Sequence, residues 1–316
     1  MSFRKYIFIP ALKKGGSTAL WLLKIMLPIS LAVRFLGYFG ALDYMAEFLN
    51  PLFINMGLPG STAIVFITSI FLPLYAPLAI ITSMSITLRE LTILALMCQI
   101  AHNLPVESAI QSKTGTTFWG MSILRISMSI VTAFVLNLIL PQEMGMPVFV
   151  QTDITTVDSI GHLLLLWLES ALRISILIFV VIFSLNLLYN YLNSKNLITK
   201  LSESIEPVLK VFGLSSNTGF LLLIGYIVGL AYGGALMMDQ LKDGKVARSE
   251  ANLLNHHLAV SHSVIEDNLL FAVLGVSIWW ILSVRLVLAL IVVWVRKLIQ
   301  NITAGRFRFS MKSGDY

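Results

Sequence analysis

Residues 51–62 read PLFINMGLPGST, and residues 207–218 read PVLKVFGLSSNT. Pro51 and Pro207, Gly57 and Gly213, Leu58 and Leu214, and Thr62 and Thr218 stand at one constant offset of 156 positions. Outward from this core the matching continues in order. Tyr75 and Tyr232 follow at 157, Arg89/Arg248 and Glu107/Glu266 at 159, and Trp119/Trp279 and Arg125/Arg285 at 160. A slow drift with preserved order is what two diverged copies with small loop changes produce. The chain therefore reads as one unit written twice.

That unit belongs in lipid. Of 316 residues 57% are hydrophobic and 12% charged, and mean hydropathy is +0.85. A soluble domain carries roughly 25% charged residues. A cytosolic enzyme, a secreted disulfide scaffold and a disordered chain are all excluded by this shortage of polar surface. The net charge of +6 fits the positive-inside rule better than nucleic acid, because the basic residues sit at the ends of apolar stretches. One cysteine, Cys98, excludes a disulfide framework and a cysteine-based metal cluster.

A crossing needs about 20 apolar residues. Residues 17–39, 118–140, 163–189 and 269–295 read as clean spans. Residues 61–83 are interrupted by Pro73 and Pro77 around Tyr75, and 218–238 by Gly229, Gly233 and Gly234 around Tyr232. Such breaks survive in lipid only where protein or a watery cavity satisfies the freed backbone groups. Residues 91–112 and 251–267 are long enough to cross but too polar to face lipid.

Basic residues orient these pieces. None lies between Phe35 and Leu88 or in the loop 141–159, whereas Lys195, Lys200, Lys210, Lys242, Lys245 and Arg248 cluster elsewhere. The arrangement meeting most of these preferences is an all-α integral membrane protein with two inverted-topology repeats. It has about six transmembrane helices plus two re-entrant helical hairpins, and both termini are cytoplasmic. Arg89 is the misfit, left outside beside Glu90. A rival topology makes the broken stretches full spans and the polar ones re-entrant. The expected organisation is a cytoplasmic amphipathic lead-in (1–16), a first membrane repeat (17–140), a periplasmic linker (141–159), an inverted second repeat (160–295) and a basic cytoplasmic tail (296–316). The expected location is the cytoplasmic (inner) membrane of a bacterium.

Inverted repeats are the build of secondary transporters, whose sites lie near the midplane among broken helices. The polar segments supply the candidates. Gln99, His102 and Asn103 share a helical face, and Pro105 disturbs the helix before Glu107. In the second copy Ser261 and His262 precede Glu266, Asp267 and Asn268. A charge at the bilayer centre costs roughly 2.5–3.5 kcal/mol on insertion scales, so matched carboxylates in two copies call for a purpose. Glu107 and Glu266 read either as coupling carboxylates or as caps on broken helices. Tyr75, Pro73, Tyr232 and Gly233 mark the hairpin tips. Arg125 and Arg285, one turn inside their spans, read as snorkelling to an interface, and Trp119, Trp279 and Trp280 as interface anchors. No metal site is expected, His257 and His262 being weak candidates for one.

The Gly-Leu-(Pro/Ser)-(Gly/Ser)-(Ser/Asn)-Thr entries and the polar segments ending at Glu107 and Glu266 resemble the nucleoside recognition, or Gate, domain family. The resemblance covers about 45–125 and 205–285. The family includes spore maturation proteins A and B and the membrane core of the ferrous iron transporter B, and is distantly related to concentrative nucleoside transporters. The resemblance implies a paired hairpin-and-helix core but not one substrate. No G-x-x-x-x-G-K-[ST] motif occurs, so no GTPase of the iron-transporter type drives it.

Together these readings lead to a secondary transporter or channel-like permease for a small polar solute, nucleosides being the class the family name suggests. Coupling would be to H+ or Na+, with no other cofactor. The partners expected are membrane lipids, the solute, and either a second copy or a second membrane protein, with no nucleic acid. The other readings are a non-transporting assembly or maturation factor and a divalent-metal permease. No nucleophile–base pair at motif spacing marks an enzyme.

Overall fold

The computed structural model describes residues 7–82, 84–148, 159–195 and 197–312. Residues 1–6 of the lead-in, 149–158 of the linker and 313–316 of the tail lie outside the described residues. Among the described residues every regular element is helical.

Helix α1 (Ile9–Tyr38) runs unbroken through Gly15 and Gly16. The lead-in and the first span are thus parts of one continuous helix from Ile9 on. The glycines allow close approach instead: a Cβ on Gly15 would sit 3.1 Å from the backbone of Phe183. That residue lies in α8 (Ile160–Ser194), and α1 and α8 pack side by side. Buried Arg34 of α1 donates to Ser170 Oγ of α8 at 2.9 Å.

Helix α2 (Ala41–Asn55) ends at Gly57, whose φ of +74° suits glycine. The turn Gly60–Thr62 then leads into α3 (Ala63–Phe71). Residues Glu47–Asn55 and Gly60–Phe71 meet at 98°. After Leu72 the chain restarts as α4 (Tyr75–Ile81). Pro73 lies in this break, but Pro77 does not. It occupies the first turn of α4, where a missing N–H costs nothing.

Helices α5 (Leu88–Ala101), α6 (Leu104–Ser112) and α7 (Phe118–Ile139) complete the first half. A capping box starts α5, with the Thr87 N–H donating to Glu90 Oε2 at 2.7 Å and the Glu90 N–H to Thr87 Oγ1 at 3.2 Å. Arg89 is held within the fold. It is buried and donates to Asn137 O and Oδ1 at 2.7 and 2.8 Å.

In the second half, α9 (Leu197–Ser204) and α10 (Glu206–Val211) lead to Gly213, at φ +70°. The turn Ser216–Thr218 opens α11 (Gly219–Ile227). Helix α12 (Leu230–Lys242) follows a break at Gly229, φ +92°. Gly233, Gly234 and Tyr232 lie inside α12, so only Gly229 makes the break. A Cβ on Gly233 would lie 3.4 Å from Gly225 Cα. Eight residues along a straight helix span about 12 Å, so the chain doubles back here, and two glycines let the arms touch.

Helices α13 (Arg248–Ser261), α14 (Val264–Ala272) and α15 (Ile278–Lys312) close the chain. The starts of α13, α14 and α15 fall 160 residues after those of α5, α6 and α7. The boundary expected between Asp267 and Leu269 is therefore displaced: α14 runs through both residues, and the next helix starts at Ile278.

Among the described residues Leu88–Ser112, Phe118–Ile139 and Ile278–Thr303 are long and apolar enough to cross a membrane, making three candidate spans, or four if the pair bent at 98° is one. The apolar window of Leu88–Ser112 is 72% buried, against 33% and 28% for the other two. The first is thus a central helix, while α7 and α15 turn much of their apolar surface outward. Trp119 and Trp279 are 73% and 79% exposed, as membrane-interface anchors are, whereas Trp280 packs on the core. The core forms two main clusters, one around α3–α5 and the other around α11–α13. Leu270 and Phe271 of α14 join the first cluster and Ile100 of α5 the second, so the halves interlock.

Candidate functional site

The site grows from two helix breaks. Helix α5 ends at Ala101, and Asn103 takes a left-handed conformation (φ 48°) before α6 begins. Helix α13 ends at Ser261, and Ser263 does the same (φ 47°) before α14. Asn tolerates this region better than most side chains. Pro105 is not the cause of the first break. It sits in the opening turn of α6, where proline is favoured.

Each break exposes the last carbonyls of one arm, and away from water these need donors. An arginine answers in both halves. Arg125 of α7 donates through Nε to Ile100 O at 2.7 Å and through Nη2 to His102 O at 2.8 Å. Arg285 of α15 donates through Nε to Val260 O at 3.1 Å and through Nη2 to His262 O. The same guanidinium reaches an acid in the opening turn of the other arm. Arg125 Nη1 is 2.7 Å from Glu107 Oε2, and Arg285 Nη2 is 3.4 Å from Asp267 Oδ2. Arg285 Nη1 also donates to Asn268 Oδ1 at 3.2 Å. Each arginine is a splint across a broken helix.

Two expectations are corrected. Arg125 and Arg285 do not snorkel to an interface; they are 0% and 1% exposed. And Glu107 corresponds to Asp267, not Glu266, at the offset of 160 that the helices and arginines share. Glu266 instead accepts a hydrogen bond from the Tyr75 hydroxyl of α4.

The breaks also meet α3 and α11. The Asn103 N–H donates to Ser69 O at 2.8 Å and Leu72 O at 3.2 Å, and the Ser263 N–H to Gly225 O at 2.9 Å. Ser69 and Gly225 keep the 156 offset, so the first-half bond is rebuilt in the second. Tyr75 is buried, Pro73 lies in the break before α4, Gly233 lies inside α12 against Gly225, and Tyr232 is half exposed.

Across the seam, the His102 and His262 rings lie with centroids 5.0 Å apart and Nε2 atoms 3.4 Å apart. Glu107 Oε1 is 3.5 Å from His102 Nε2, and Oε2 is 3.2 Å from His262 Nε2. Gln99 Nε2 donates to Asp267 O at 2.9 Å, leaving its buried Oε1 without a partner among the described residues. Ser261 is committed elsewhere, its hydroxyl donating to His257 O at 2.9 Å. His257 stands apart from this centre. Its Nε2 pairs with the Tyr226 hydroxyl at 2.6 Å, and its ring meets Phe212 edge-on.

The structure thus brings together His102, Glu107, His262, Asp267, Asn268 and Gln99, with Asn103 at the break and Glu266 reached from Tyr75. The sequence reading missed the arginines as members of the site and His102 as the partner of His262. Holding the offset at 160 from Arg125/Arg285 back through the polar segments exposes both pairs.

Among known proteins, the chain is 29% identical over 290 residues to an uncharacterized membrane protein, YvoD, of Bacillus subtilis (strain 168), covering 91% of this chain and 93% of that one. No solved structure matches it. Residues 19–116, which hold α2 to α6 and with them His102, Asn103 and Glu107, match the family described as nucleoside recognition, Gate.

Proposed function

We propose that the chain is a membrane permease that moves a small polar solute through the seam between two inverted repeats, coupled to H+ or Na+. The observation that carries this reading is the buried centre, in which two arginines, two acids and two histidines from both halves meet where two helices are broken. An ionised group at membrane depth is costly. A merely structural break could be capped by neutral groups, whereas transporters place broken helices and their charges around the solute. Nucleosides are the solute class the matching family's name suggests, and the amides of Gln99 and Asn103 suit the hydrogen-bonding edges of a base.

In this reading the six crossings and two hairpins, the cytoplasmic termini and the bacterial inner membrane stand as expected from the basic residues. The equal helix spacing supports the repeat, and the Lys-free 35–88 and Lys-bearing 193–211 segments support its inversion. Glu107, Asp267 and Glu266 bind or couple, and the hairpin breaks open and close the path. The chain is not an enzyme, and its partners are lipid, solute and a second copy or another membrane protein.

Proteoliposomes incubated with radiolabelled nucleosides and related polar solutes test this. Uptake above empty vesicles is expected, dependent on a proton or sodium gradient and reduced by Glu107→Gln and Glu266→Gln. Absence of flux, with a stable co-purifying membrane protein, would favour the assembly-factor reading instead.

A further inference from the structure

We infer that His102, Glu107 and His262 form a site for a divalent transition cation bridging the two halves. The argument starts from the two ring orientations. His102 Nδ1 lies 3.1 Å from Gln99 O, and His262 Nδ1 lies 2.8 Å from Leu258 O. A carbonyl can only accept, so both Nδ1 atoms carry hydrogen, and in the neutral rings both Nε2 atoms present lone pairs. Those lone pairs face one another, and both face the Glu107 carboxylate, which also only accepts. Three acceptors thus converge, with ligand atoms all within 4.8 Å of one another.

A proton shared between the rings suits this triangle less well than a metal. The Nε2–Nε2 separation of 3.4 Å exceeds the roughly 2.7–3.2 Å range of N–H hydrogen bonds. It equals the spacing of two nitrogens each about 2.05 Å from a tetrahedral centre, about 3.3–3.4 Å. The surroundings are also those of metal sites. Ligating histidines give their other N–H to a backbone carbonyl, and ligating carboxylates are themselves hydrogen-bonded. Here Arg125 holds Glu107 by Oε2, the oxygen that also lies 3.2 Å from His262 Nε2, while Oε1 lies 3.5 Å from His102 Nε2.

Arg125 and Arg285 do not forbid a cation, because each is matched by an acid, Glu107 or Asp267. Two imidazoles and one carboxylate suit zinc and its first-row neighbours rather than magnesium or calcium, which take oxygen ligands. Three protein ligands leave a fourth position for water or a solute atom. The triangle lies just beneath the surface: Glu107 is 6% exposed, and Val106 beside it is 52% exposed. His257, the metal candidate from sequence spacing, is replaced by His102 from the other half.

The site does not depend on transport and is tested without flux. Tag-free, chelator-treated protein in detergent is titrated with Co2+, followed by visible absorption, and with Zn2+ by calorimetry. One equivalent per chain is expected, with the intense bands of four-coordinate cobalt, displaced by Zn2+ but not by Mg2+ or Ca2+. His102→Gln, His262→Gln and Glu107→Gln should each weaken binding by at least the ~10–100-fold seen for loss of an outer-shell partner, and His257→Gln should leave it unchanged. Melting curves of the metal-free variants identify any that fail to fold, and the wild-type cobalt spectrum then decides by itself. A pale six-coordinate spectrum, no binding, or binding unaffected in the folded triangle variants overturns the inference. Each of these outcomes leaves the uptake assay free to succeed or fail separately.

Discussion

Replacing Arg125 by methionine keeps the side-chain bulk and removes the splint. The guanidinium is fully buried and has three partners at 2.7–2.8 Å: Ile100 O, His102 O and Glu107 Oε2. Its loss strands the Glu107 charge, a situation that costs about 3–5 kcal/mol when one member of a buried pair is removed. It also leaves the Ile100 and His102 carbonyls at the end of α5 uncapped, at about 1–3 kcal/mol each. These contributions overlap, so a loss of about 4 kcal/mol or more is expected, a large part of a typical domain's 5–15 kcal/mol. The assay is reversible unfolding in mixed micelles, run as a double-mutant cycle with Glu107→Gln. The double variant should recover most of the stranded-charge cost but none of the cost of the carbonyls. Lys245→Ala, which breaks an exposed 2.9 Å pair with Asp243, is the comparison and should cost about 0–1 kcal/mol. If Arg125→Met costs no more than Lys245→Ala, or if the cycle is additive, the arginine is not bridging the break.

Two further substitutions probe the backbone. Gly57→Ala and Gly213→Ala both impose a left-handed alanine, at about 1–2 kcal/mol. At Gly57 the new Cβ would also lie 2.2 Å from Asn137 Oδ1 and 2.9 Å from Arg89 Nη1, whereas at Gly213 its nearest neighbours are 3.4–3.5 Å away. Gly57→Ala should therefore lower the melting temperature more than Gly213→Ala; equal shifts would refute the crowding argument. Ser263→Asn, which gives the second break the residue type found at the first, should stabilise by a few tenths to about 1 kcal/mol, and Ser263→Val should destabilise by about 1–2 kcal/mol. A stabilising valine would mean that Ser263 does not need the left-handed region.

The repeat was legible because its strongest signals are local. The residues from Pro51 to Thr62 and from Pro207 to Thr218 each hold a positive-φ glycine, Gly57 and Gly213, before a short turn. Helix breaks were legible in part: the break at His262–Ser263 falls inside the stretch 251–267 that reads as one segment. Proline and glycine are the signals the sequence offers, yet Pro77 and Pro105 sit in opening turns, and Gly233 serves packing. The break at His102–Asn103 carries no such signal, because a donor from another helix makes it tolerable. Arg125 illustrates the same limit: from sequence, a cation one turn inside a span looks like a residue reaching for water.

The amino-acid sequence by itself determined that this chain belongs in lipid and that its motifs recur in order. Both follow from totals and spacings: too few charges to cover a soluble surface, and motifs kept in order at offsets of 156 to 160. Tertiary structure alone decided which polar residues meet. The partners of Arg125 are 18 to 25 residues away, His102 and His262 are 160 apart, and Tyr75 and Glu266 are 191 apart. The physical reason is that lipid offers no hydrogen bonds. Every group freed by a broken helix must find its partner in another helix, and packing rather than local spacing sets that choice.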